Sequence, residues 1–421
     1  MRLLPIVIIF HLAFQSSAAC AQNRVGPGLQ RPESSSAAER KDWNETRKRA
    51  TRQSEYIAGG LWALIHAYQS RTRMEEALKL SQTFFEAIAK NDPAILQPVG
   101  GLGGLRARFL NLMQSGEDDT VSGFAARVLA VTGGARYAPH IAALMNKRDA
   151  SWTEEDTYPA PTSRGQAAIA LSIIPAMGYK KNIAALLTSM NVYDRSGASF
   201  ALGEMRAIEY ADEIAGLLSQ QEFTFRRDES PIHALIKMGV GSNYKKEIAA
   251  ALNDDFSSEV NEAAAYALAH LNAIEYSGEI AKLLNHEFRR RTAAKVLALM
   301  GRREYTPRIA ALLAVDSSLD RSAALLALGI LNAREYAPQA AMLMRRERKT
   351  SVSYYAALSL VLMRAKEYRR EVLEVLKVNK TGKYVDSDLN PIVAERAEQI
   401  EAQIGATIRQ FKTRRLGTRR N

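Results

Sequence analysis

Hydrophobic positions recur in one fixed pattern through the middle of the chain. Each copy starts with a tyrosine, and apolar residues follow it four, five, seven and eight places later. The tyrosines are Tyr137, Tyr179, Tyr210, Tyr244, Tyr276, Tyr305, Tyr336 and Tyr368. They are spaced 42, 31, 34, 32, 29, 31 and 32 residues apart. Because self-similarity at a period of about 20 to 50 residues is typical of repeat arrays, the pattern predicts eight structural repeats.

The apolar positions of each copy form one stripe of an α-helix. In the copy that begins at Tyr276 they are Ile280, Ala281, Leu283 and Leu284, which share one face at about 3.6 residues per turn. A second apolar stripe precedes each tyrosine, so each copy is predicted to contain two helices. Only four to six residues separate the two helices, and such a short connection requires an antiparallel hairpin. A single hairpin cannot bury both stripes, so neighbouring copies are expected to stack around a continuous core.

The chemistry around the tyrosine supports a hairpin joint at this point. Carboxylates directly precede five of the tyrosines, where they would complement the positive end of the next helix dipole. Prolines follow three of them by two residues, in a first helical turn where the missing N–H costs nothing. The carboxylates are Glu209, Glu275, Glu304, Glu335 and Glu367, and the prolines are Pro139, Pro307 and Pro338. Each tyrosine is therefore expected at the joint, with its ring covering the apolar stripe.

The repeated segments resemble the HEAT-repeat superfamily, and in particular the short HEAT-like repeats of the phycobilisome-lyase type. The likeness is carried by Ala-Ala-x-Ala-Leu followed by Tyr-x-x-x-Ile-Ala-x-Leu-Leu, and it covers roughly residues 118–377. It implies an all-α fold, a curved α-solenoid of about eight to nine antiparallel helix-pair repeats with capping helices at both ends. It also implies that the second helices line the concave face. The superfamily includes scaffolds, regulators and a minority of enzymes, so the resemblance leaves the function open.

Outside the repeats, composition and periodicity divide the chain into segments. Residues 22–42 contain Gly, Pro and Ser without periodicity and are predicted to be a flexible leader. Residues 43–117 are predicted to form an N-terminal helical cap with a degenerate repeat, interrupted by a flexible break at the glycine-rich stretch 100–104. A C-terminal capping helix is predicted within residues 378–413, followed by a basic tail at 414–421.

The first 21 residues have the charge, length and small-residue ending of a secretory signal peptide. Cys20, the only cysteine, lies at the end of this segment. One interpretation removes it with the signal after Ala21. The other reads Ser17 to Cys20 as a bacterial lipobox, in which Cys20 is lipidated and anchors the protein. In both cases the chain is expected to be exported to a periplasmic or extracellular location, and no transmembrane span is predicted in the mature protein.

No local motif indicates catalysis or a bound cofactor. The sequence lacks G-x-S-x-G, a Walker loop, C-x-x-C and H-E-x-x-H. A HEAT-repeat hydroxylase binds metal through His-Glu pairs that recur across repeats, whereas only His286-Glu287 matches here, and one pair cannot build such a site. Four other histidines do not form a spaced set and are interpreted as solvated or locally satisfied. They are His66, His140, His233 and His270. The chain is therefore expected to bind no metal or cofactor and to be non-catalytic.

Positive charge is concentrated in the last third of a chain whose net charge is +12. Residues 286–421 carry 27 Lys and Arg against 14 Asp and Glu, whereas residues 1–285 carry 30 against 31. Most of the clustered cations fall in or beside predicted loops, so they are expected along the rims of the solenoid. The clustered residues are Arg289, Arg290, Arg291, Arg302, Arg303, Arg345, Arg346, Arg348, Lys349, Arg369 and Arg370.

Three interpretations fit this basic rim. It is a solvated surface with a frayed tail. Alternatively it attracts an anionic surface, such as lipid headgroups, an acidic envelope polymer or an acidic protein. The third interpretation is nucleic acid, held through its phosphates. The predicted export argues against nucleic acid, because an exported protein seldom meets it.

The 42-residue spacing between the first two copies marks an insertion. It contains Trp152 and Tyr158, and both residue types are favoured anchors at protein interfaces. Long loops on repeat proteins often lie on a binding face, so these two residues are candidate partner contacts. The alternative is a loop whose tryptophan folds back onto the array.

The sequence thus predicts an exported, non-catalytic scaffold that binds another macromolecule, with a protein as the expected partner. The binding surface would be the solenoid face together with the basic rim. The alternative is an enzyme or an enzyme accessory, for example a lyase-like protein, whose catalytic groups lie on helix faces. A scaffold should show solvent-facing residues that vary between copies, whereas an enzyme should bring His, Asp or Glu side chains together in a pocket.

Overall fold

The computed structural model describes residues 37–52, 72–115, 119–147, 162–174, 176–219, 231–252, 258–377 and 391–413. These residues form helices and turns without any β-strand among them, which confirms the predicted all-α class. Within the same ranges, every helix is too short or too polar to span a bilayer. The chain separates into two compact units, residues 1–210 and residues 211–421.

Among the described residues, the first unit begins with three helices that lie outside the tyrosine pattern. They are α1 (Ala37–Arg52), α2 (Thr72–Lys90) and α3 (Gly101–Gln114). Helix α1 starts before Trp43, whose side chain is buried, so the leader predicted for residues 22–42 overlaps this helix. The predicted signal peptide, Cys20 and the rest of the leader lie outside the described residues.

The glycine-rich stretch 100–104 is the start of helix α3, and the prediction of a flexible break there was wrong. Gly100 has a φ of 85° and ends the preceding 3₁₀ helix, Pro93–Val99. An ideal Cβ at Gly104 would lie 2.1 Å from the carbonyl oxygen of Val99. The glycines therefore allow one helix to follow another in a tight reversal, where side chains would collide.

Each tyrosine copy consists of a first helix before the tyrosine and a shorter second helix directly after it. In the first unit these are α4 (Asp119–Gly133), α5 (Ala138–Ala143), α6 (Ser163–Ile173), α7 (Lys180–Ala184) and α8 (Val192–Glu204). In the second unit they are α9 (Ala211–Gly216), α10 (Pro231–Met238), α11 (Lys245–Ala250), α12 (Ser258–His270), α13 (Ser277–Lys282), α14 (Arg290–Leu299), α15 (Thr306–Ala311), α16 (Ser318–Ile330), α17 (Ala337–Arg346), α18 (Ser351–Leu362) and α19 (Arg369–Leu376). The helix pairs confirm the predicted HEAT-like α-solenoid repeat type.

Stacking of the first helices forms the buried layer of each unit. Helix α6 packs between α4 and α8 in the first unit, and α16 packs between α14 and α18 in the second. Their contacts depend on small residues. An ideal Cβ at Gly197 would lie 2.4 Å from the carbonyl oxygen of Gly165 on the neighbouring helix. Such close approach explains why the first helices are rich in Gly and Ala.

Each first helix in five of the copies ends on a residue with left-handed backbone conformation, four places before the tyrosine. These residues are Arg206, Asn272, Gly301, Asn332 and Arg364. In the seventh copy, Ala333 N–H donates to the Leu328 carbonyl at 3.0 Å and Asn332 N–H donates to the Gly329 carbonyl at 2.9 Å. This pair of bonds is the Schellman motif, which satisfies the last carbonyls of a helix. The three predicted prolines lie in the first turn of α5, α15 and α17, as expected.

The apolar stripe that follows each tyrosine is largely buried, and its first position is buried in all eight copies. In α13 and the 3₁₀ turn after it, Ile280, Ala281, Leu283 and Leu284 are all buried. The tyrosines lie at the joints, as predicted, and all eight are half-buried. Each ring is therefore partly covered by the core, and part of each side chain remains exposed.

The last helix, α20 (Ala394–Thr413), does more than cover the last repeat. It packs against α18 and α19, while the 3₁₀ turn Pro391–Val393 that precedes it contacts α12 in the fifth repeat. Its buried face recurs every three or four residues. The buried apolar residues of this face are Ala397, Ile400, Ile404, Ile408 and Phe411, and Val393 in the preceding turn is also buried. Residues 391–413 therefore contact both the fifth and the eighth repeats, which differs from a helix that caps only the end of the array.

Candidate binding surface

The second helices expose one face in a constant register. The residues two, three, six and nine places after each tyrosine are exposed wherever the structure describes them. The one exception among these described residues is Glu371, which is half-buried. The third position reads His140 and Asn182 in the first unit. In the second unit it reads Glu213, Glu247, Glu279, Arg308, Gln339 and Glu371. The buried positions stay aliphatic or alanine in every copy, so the side chains that vary are those that face solvent.

Small residues separate the variable side chains on this face. The sixth position after the tyrosine is Ala143 and Ala185 in the first unit. In the second unit it is Gly216, Ala250, Lys282, Ala311, Met342 and Glu374. Five of these eight residues have no side chain beyond Cβ. The exposed face is thus flat between its charged residues, and a partner surface can approach the helices closely.

The first basic cluster is largely occupied by an internal ion pair. Arg290 Nε donates to Asp320 Oδ2 at 2.6 Å, and Arg291 Nε lies 3.6 Å from Asp320 Oδ1. Asp320 is buried at the start of α16. Its two arginine partners lie at the start of α14, in the previous repeat. Arg289 precedes α14 and is half-buried. The cluster predicted to lie on a rim therefore joins two repeats, although parts of its guanidinium groups remain exposed.

Arg302 and Arg303 lie at the sixth hairpin joint, and both have partners there. Arg302 pairs with Glu304 at 2.5 Å. Arg303 donates to the carbonyl of Asn332 at 2.9 Å, and that carbonyl belongs to the left-handed residue of the next joint. Arg334 repeats the contact one repeat later, by donating to the carbonyl of Arg364 at 3.1 Å. These arginines bridge successive joints.

Arg345 and Arg346 are also paired. Arg345 makes a bidentate contact with Glu371, with distances of 2.6 and 2.8 Å, and its guanidinium lies 5.8 Å from the centre of the Tyr368 ring. The hydrogen bonds from Arg345 hold the pKa of the Glu371 carboxyl below its usual value. Arg346 lies 3.2 Å from Glu347. Both arginines keep large exposed fractions, so the pairs are surface contacts of modest strength.

The same kind of bridge recurs in both units. Lys180 contacts Glu209 at 2.9 Å, and Lys245 contacts Glu275 at 3.3 Å. In each case a lysine that follows one tyrosine meets the glutamate that precedes the next. The hydrogen bonds of Glu209, first to its own backbone and then to Lys180, lower the pKa of its carboxyl. The regular spacing of these charges in the sequence could have revealed the bridges, because their partners are one repeat apart.

The remaining predicted cations divide between two places in the second unit. Arg348 and Lys349 are exposed in the turn before α18, where Lys349 has a left-handed φ of 64°. Arg369 is half-buried and Arg370 exposed in the first turn of α19. Arg348 lies close enough to Glu371 for its charge to help lower the pKa of that carboxyl. The turn before α18 and the first turn of α19 are therefore near each other.

Two exposed apolar residues lie beside the basic turns, and the sequence pattern did not single them out. Phe288, which is 76% exposed, lies in the turn before α14, and Leu319, which is 56% exposed, lies in the first turn of α16. Both interrupt polar turns, where apolar periodicity gives no signal. Only their solvent exposure identifies them.

The histidines do not form a metal site in the described part of the chain. His140, His270 and His286 are exposed, and His233 is buried in α10. No group of three or more metal-binding side chains occurs among the residues that the structure describes. His66, Trp152 and Tyr158 lie outside those residues, so the predicted contact role of the insertion stays a prediction.

Two buried polar clusters were missed at the sequence level. Asp194 at the start of α8 is fully buried and accepts hydrogen bonds from the hydroxyls of Thr162 and Ser189 and from Gly165 N–H. It is closed off from solvent, and both of its carboxylate oxygens accept hydrogen bonds. Its neighbours belong to two successive repeats, so it stabilises their stacking.

The second cluster centres on Arg106 in α3. Arg106 donates to both oxygens of Asp42 at 2.5 and 2.8 Å and to the hydroxyl of Thr46 at 3.1 Å. Both partners lie on α1, so one buried guanidinium attaches the first helix to the rest of the unit. The hydrogen bond from Arg106 lowers the pKa of the Asp42 carboxyl.

Neither a protein family model nor a curated protein matches this sequence. Among solved structures, the chain is similar to the complex of CpcE and CpcF of phycocyanin lyase from Nostoc sp. PCC7120. The identity is 22% over 62% of this chain and 94% of that chain, with a TM-score of 0.34. It is also similar to an engineered protein, at 16% identity over 82% of this chain and 98% of that chain, with a TM-score of 0.38. The assignment of the repeat type rests on the chain's own helix pairs.

Proposed function

We propose that this chain is a non-catalytic scaffold that binds another protein along the exposed face of its second helices. The observation that supports the proposal is the contrast between a constant core and a varying face. Positions four, five, seven and eight after each tyrosine stay apolar, while the third position alternates among acidic, basic and neutral residues. Catalysis requires a few groups at one place, whereas a face that changes from repeat to repeat suits an extended partner surface.

The charges on this face indicate what the partner surface would carry. In the second unit, Glu213, Glu247 and Glu279 occupy the same exposed position on α9, α11 and α13. Arg308 and Arg345 follow on α15 and α17. A partner that places cations against the three glutamates would gain charge complementarity, which sets specificity and the rate of association more than affinity. The small residues between the charges permit the required close approach.

Export of the chain remains part of the proposal. Its support is the charge, length and ending of the first 21 residues. The mass of the N-terminal peptide of the mature protein distinguishes the alternatives. Cleavage after Ala21 gives an unmodified N-terminus at Gln22, whereas lipidation gives a modified Cys20.

A charge-reversal experiment tests the binding face. The triple variant Glu213→Lys, Glu247→Lys, Glu279→Lys should bind proteins from the native source at least about tenfold more weakly than the wild type, because each reversal replaces attraction with repulsion. The measurement is affinity capture followed by titration of the captured protein. The matched control is Glu335→Lys, Glu367→Lys, Glu398→Lys, which makes the same change in net charge at exposed residues away from the face.

The control separates a specific face from a general charge effect. Equal losses in the two triple variants would show that only net charge matters. Full binding by the face variant would show that the second helices do not form the interface. Either outcome contradicts the proposal.

A further inference from the structure

One edge of the second unit is formed by the turns between successive repeats. These turns, residues 286–291, 315–321 and 346–350, together form the inter-repeat edge. Two ion pairs hold them side by side. Arg290 contacts Asp320 at 2.6 Å, and Arg321 contacts Glu347 at 2.9 Å. The three turns therefore form one continuous surface.

Two large apolar side chains protrude from this edge. Phe288 lies two residues before Arg290, and Leu319 lies one residue before Asp320, so the ion pair between Arg290 and Asp320 places their turns next to each other. Each side chain is more than half exposed. Exposure of adjacent apolar side chains to water is unfavourable in free energy, and burial against a binding partner would remove this cost.

The same edge carries several cations. Arg291, Arg346, Arg348 and Lys349 lie on the same edge, and the last three are exposed. Four carboxylates also lie there. Asp320 and Glu347 are held by arginines, while Glu287 and Asp316 are exposed. Together with Arg289, Arg290 and Arg321, the cations outnumber the carboxylates, so the edge has net positive charge.

We propose that the inter-repeat edge docks on an anionic lipid bilayer. Phe288 and Leu319 would enter the boundary between headgroups and acyl chains, and Arg346, Arg348 and Lys349 would contact the lipid phosphates. Peripheral proteins bind membranes through this combination of buried apolar area and attraction to anionic lipids. The inference goes beyond the protein-binding function, because it uses a different surface from the exposed face of the second helices.

The shape of the edge favours a bilayer over a folded protein or a nucleic acid. Phe288 and Leu319 extend from separate turns, whereas apolar anchors at protein interfaces fill well-packed pockets near the centre of a patch. A bilayer accepts protruding side chains without a complementary shape. Nucleic acid would use the cations through its phosphates, but an exposed aliphatic Leu319 would gain little from it.

Vesicle binding by the full-length chain tests this proposal. The probes are vesicles of phosphatidylcholine alone and vesicles of equal parts phosphatidylcholine and phosphatidylglycerol, measured by co-sedimentation. The protein should bind the anionic vesicles in preference, and binding should fall as salt is raised, because salt screens the cations. Phe288→Ser with Leu319→Ser should reduce the partition coefficient about tenfold, since two apolar side chains lose their burial. Arg348→Gln with Lys349→Gln should reduce it by a similar factor.

Control variants of matched chemistry lie elsewhere on the same unit. Ile274→Ser removes an apolar side chain that is 44% exposed at a hairpin joint. Lys282→Gln with Lys366→Gln removes two exposed cations away from the inter-repeat edge. Both controls carry the same N-terminal segment as the edge variants, so any membrane affinity of that segment cancels. They should bind anionic vesicles as the wild type does.

Three results would overturn the inference. The first is no preference of the wild type for anionic vesicles. The second is an equal loss in the control variants, which would show a general effect of charge or hydrophobicity. The third is binding of a protein or of nucleic acid that depends on Phe288 and Arg348 when vesicle binding does not.

Discussion

At the scale of single residues, basic side chains in the second unit serve two purposes. Arg290, Arg303 and Arg345 each bond to an acceptor one repeat further along the chain, at distances of 2.6 to 2.9 Å. Arg348 and Lys349 face solvent in a turn. Because both kinds look alike in sequence, the number of arginines overstates the charge that is free to attract a partner.

A hydrogen bond between neighbouring repeats, from Tyr244 to Asp212, should give a measurable shift in the titration of the tyrosine. The Tyr244 hydroxyl donates a hydrogen bond to Asp212 Oδ1 at 2.7 Å. This hydrogen bond with the carboxylate raises the pKa of Tyr244 from 10.0 to about 12. A group whose pKa is raised on folding stabilises the folded state below the unfolded pKa and loses that contribution as pH rises through the folded pKa. The bridge should therefore weaken between about pH 10 and 12.

The test is a phenolate titration that compares the wild type with Tyr244→Phe, so that the difference reports Tyr244 alone. Asp212→Asn should return the pKa of Tyr244 toward 10 because it removes the nearby negative charge. Glu335→Gln removes an exposed carboxylate elsewhere in the unit and should leave the titration unchanged. A Tyr244 that titrates at its ordinary value in the wild type would disprove the bridge.

At the scale of helices, periodicity predicted the repeat pairs well because every copy keeps the same four positions after its tyrosine apolar and buries the first of them. Periodicity failed to predict the structure where it depends on the backbone conformation of glycines. The stretch 100–104 looks like a break in sequence, yet the positive φ values of Gly100 and Gly101 lead directly into α3. Periodicity also predicted a final helix correctly but could not place it. The apolar stripe of α20 does not say which repeats it covers.

Removal of residues 391–421 tests the placement of α20. The truncated chain should expose the first-helix layer of the second unit, bind a hydrophobic dye and lose several kcal/mol in its free energy of unfolding. The magnitude follows because each large apolar side chain contributes about 1.5–3 kcal/mol on burial. Thermal unfolding and dye fluorescence are the measurements.

The matched control ends after residue 413 and lacks only the basic tail. It should unfold at the temperature of the full-length chain and bind no more dye. If the longer truncation behaved in the same way as this control, α20 would not be part of the core of the second unit.

At the scale of the whole molecule, stability in a repeat array is carried by contacts between neighbouring repeats. The sequence predicted this organisation, because stripes that cannot be buried alone require stacked partners. It could not predict the buried polar contacts that join the repeats, since Asp194 and Asp320 have the same appearance as exposed aspartates. The variable face could be predicted from the register, whereas the exposed Phe288 could not, because turns have no periodicity.

The local character of these contacts leads to a final prediction. Asp320→Ala removes a buried carboxylate and leaves Arg290 and Arg291 without their partner, which should cost about 1–3 kcal/mol. In a repeat array this loss should increase hydrogen exchange mainly in α14 to α18, the helices around the pair, while α4 and α6 in the first unit keep their protection. Asp316→Ala changes an exposed aspartate four residues earlier and serves as the control. A uniform loss of protection along the chain would contradict this prediction, because it would show that all the repeats unfold as a single cooperative unit.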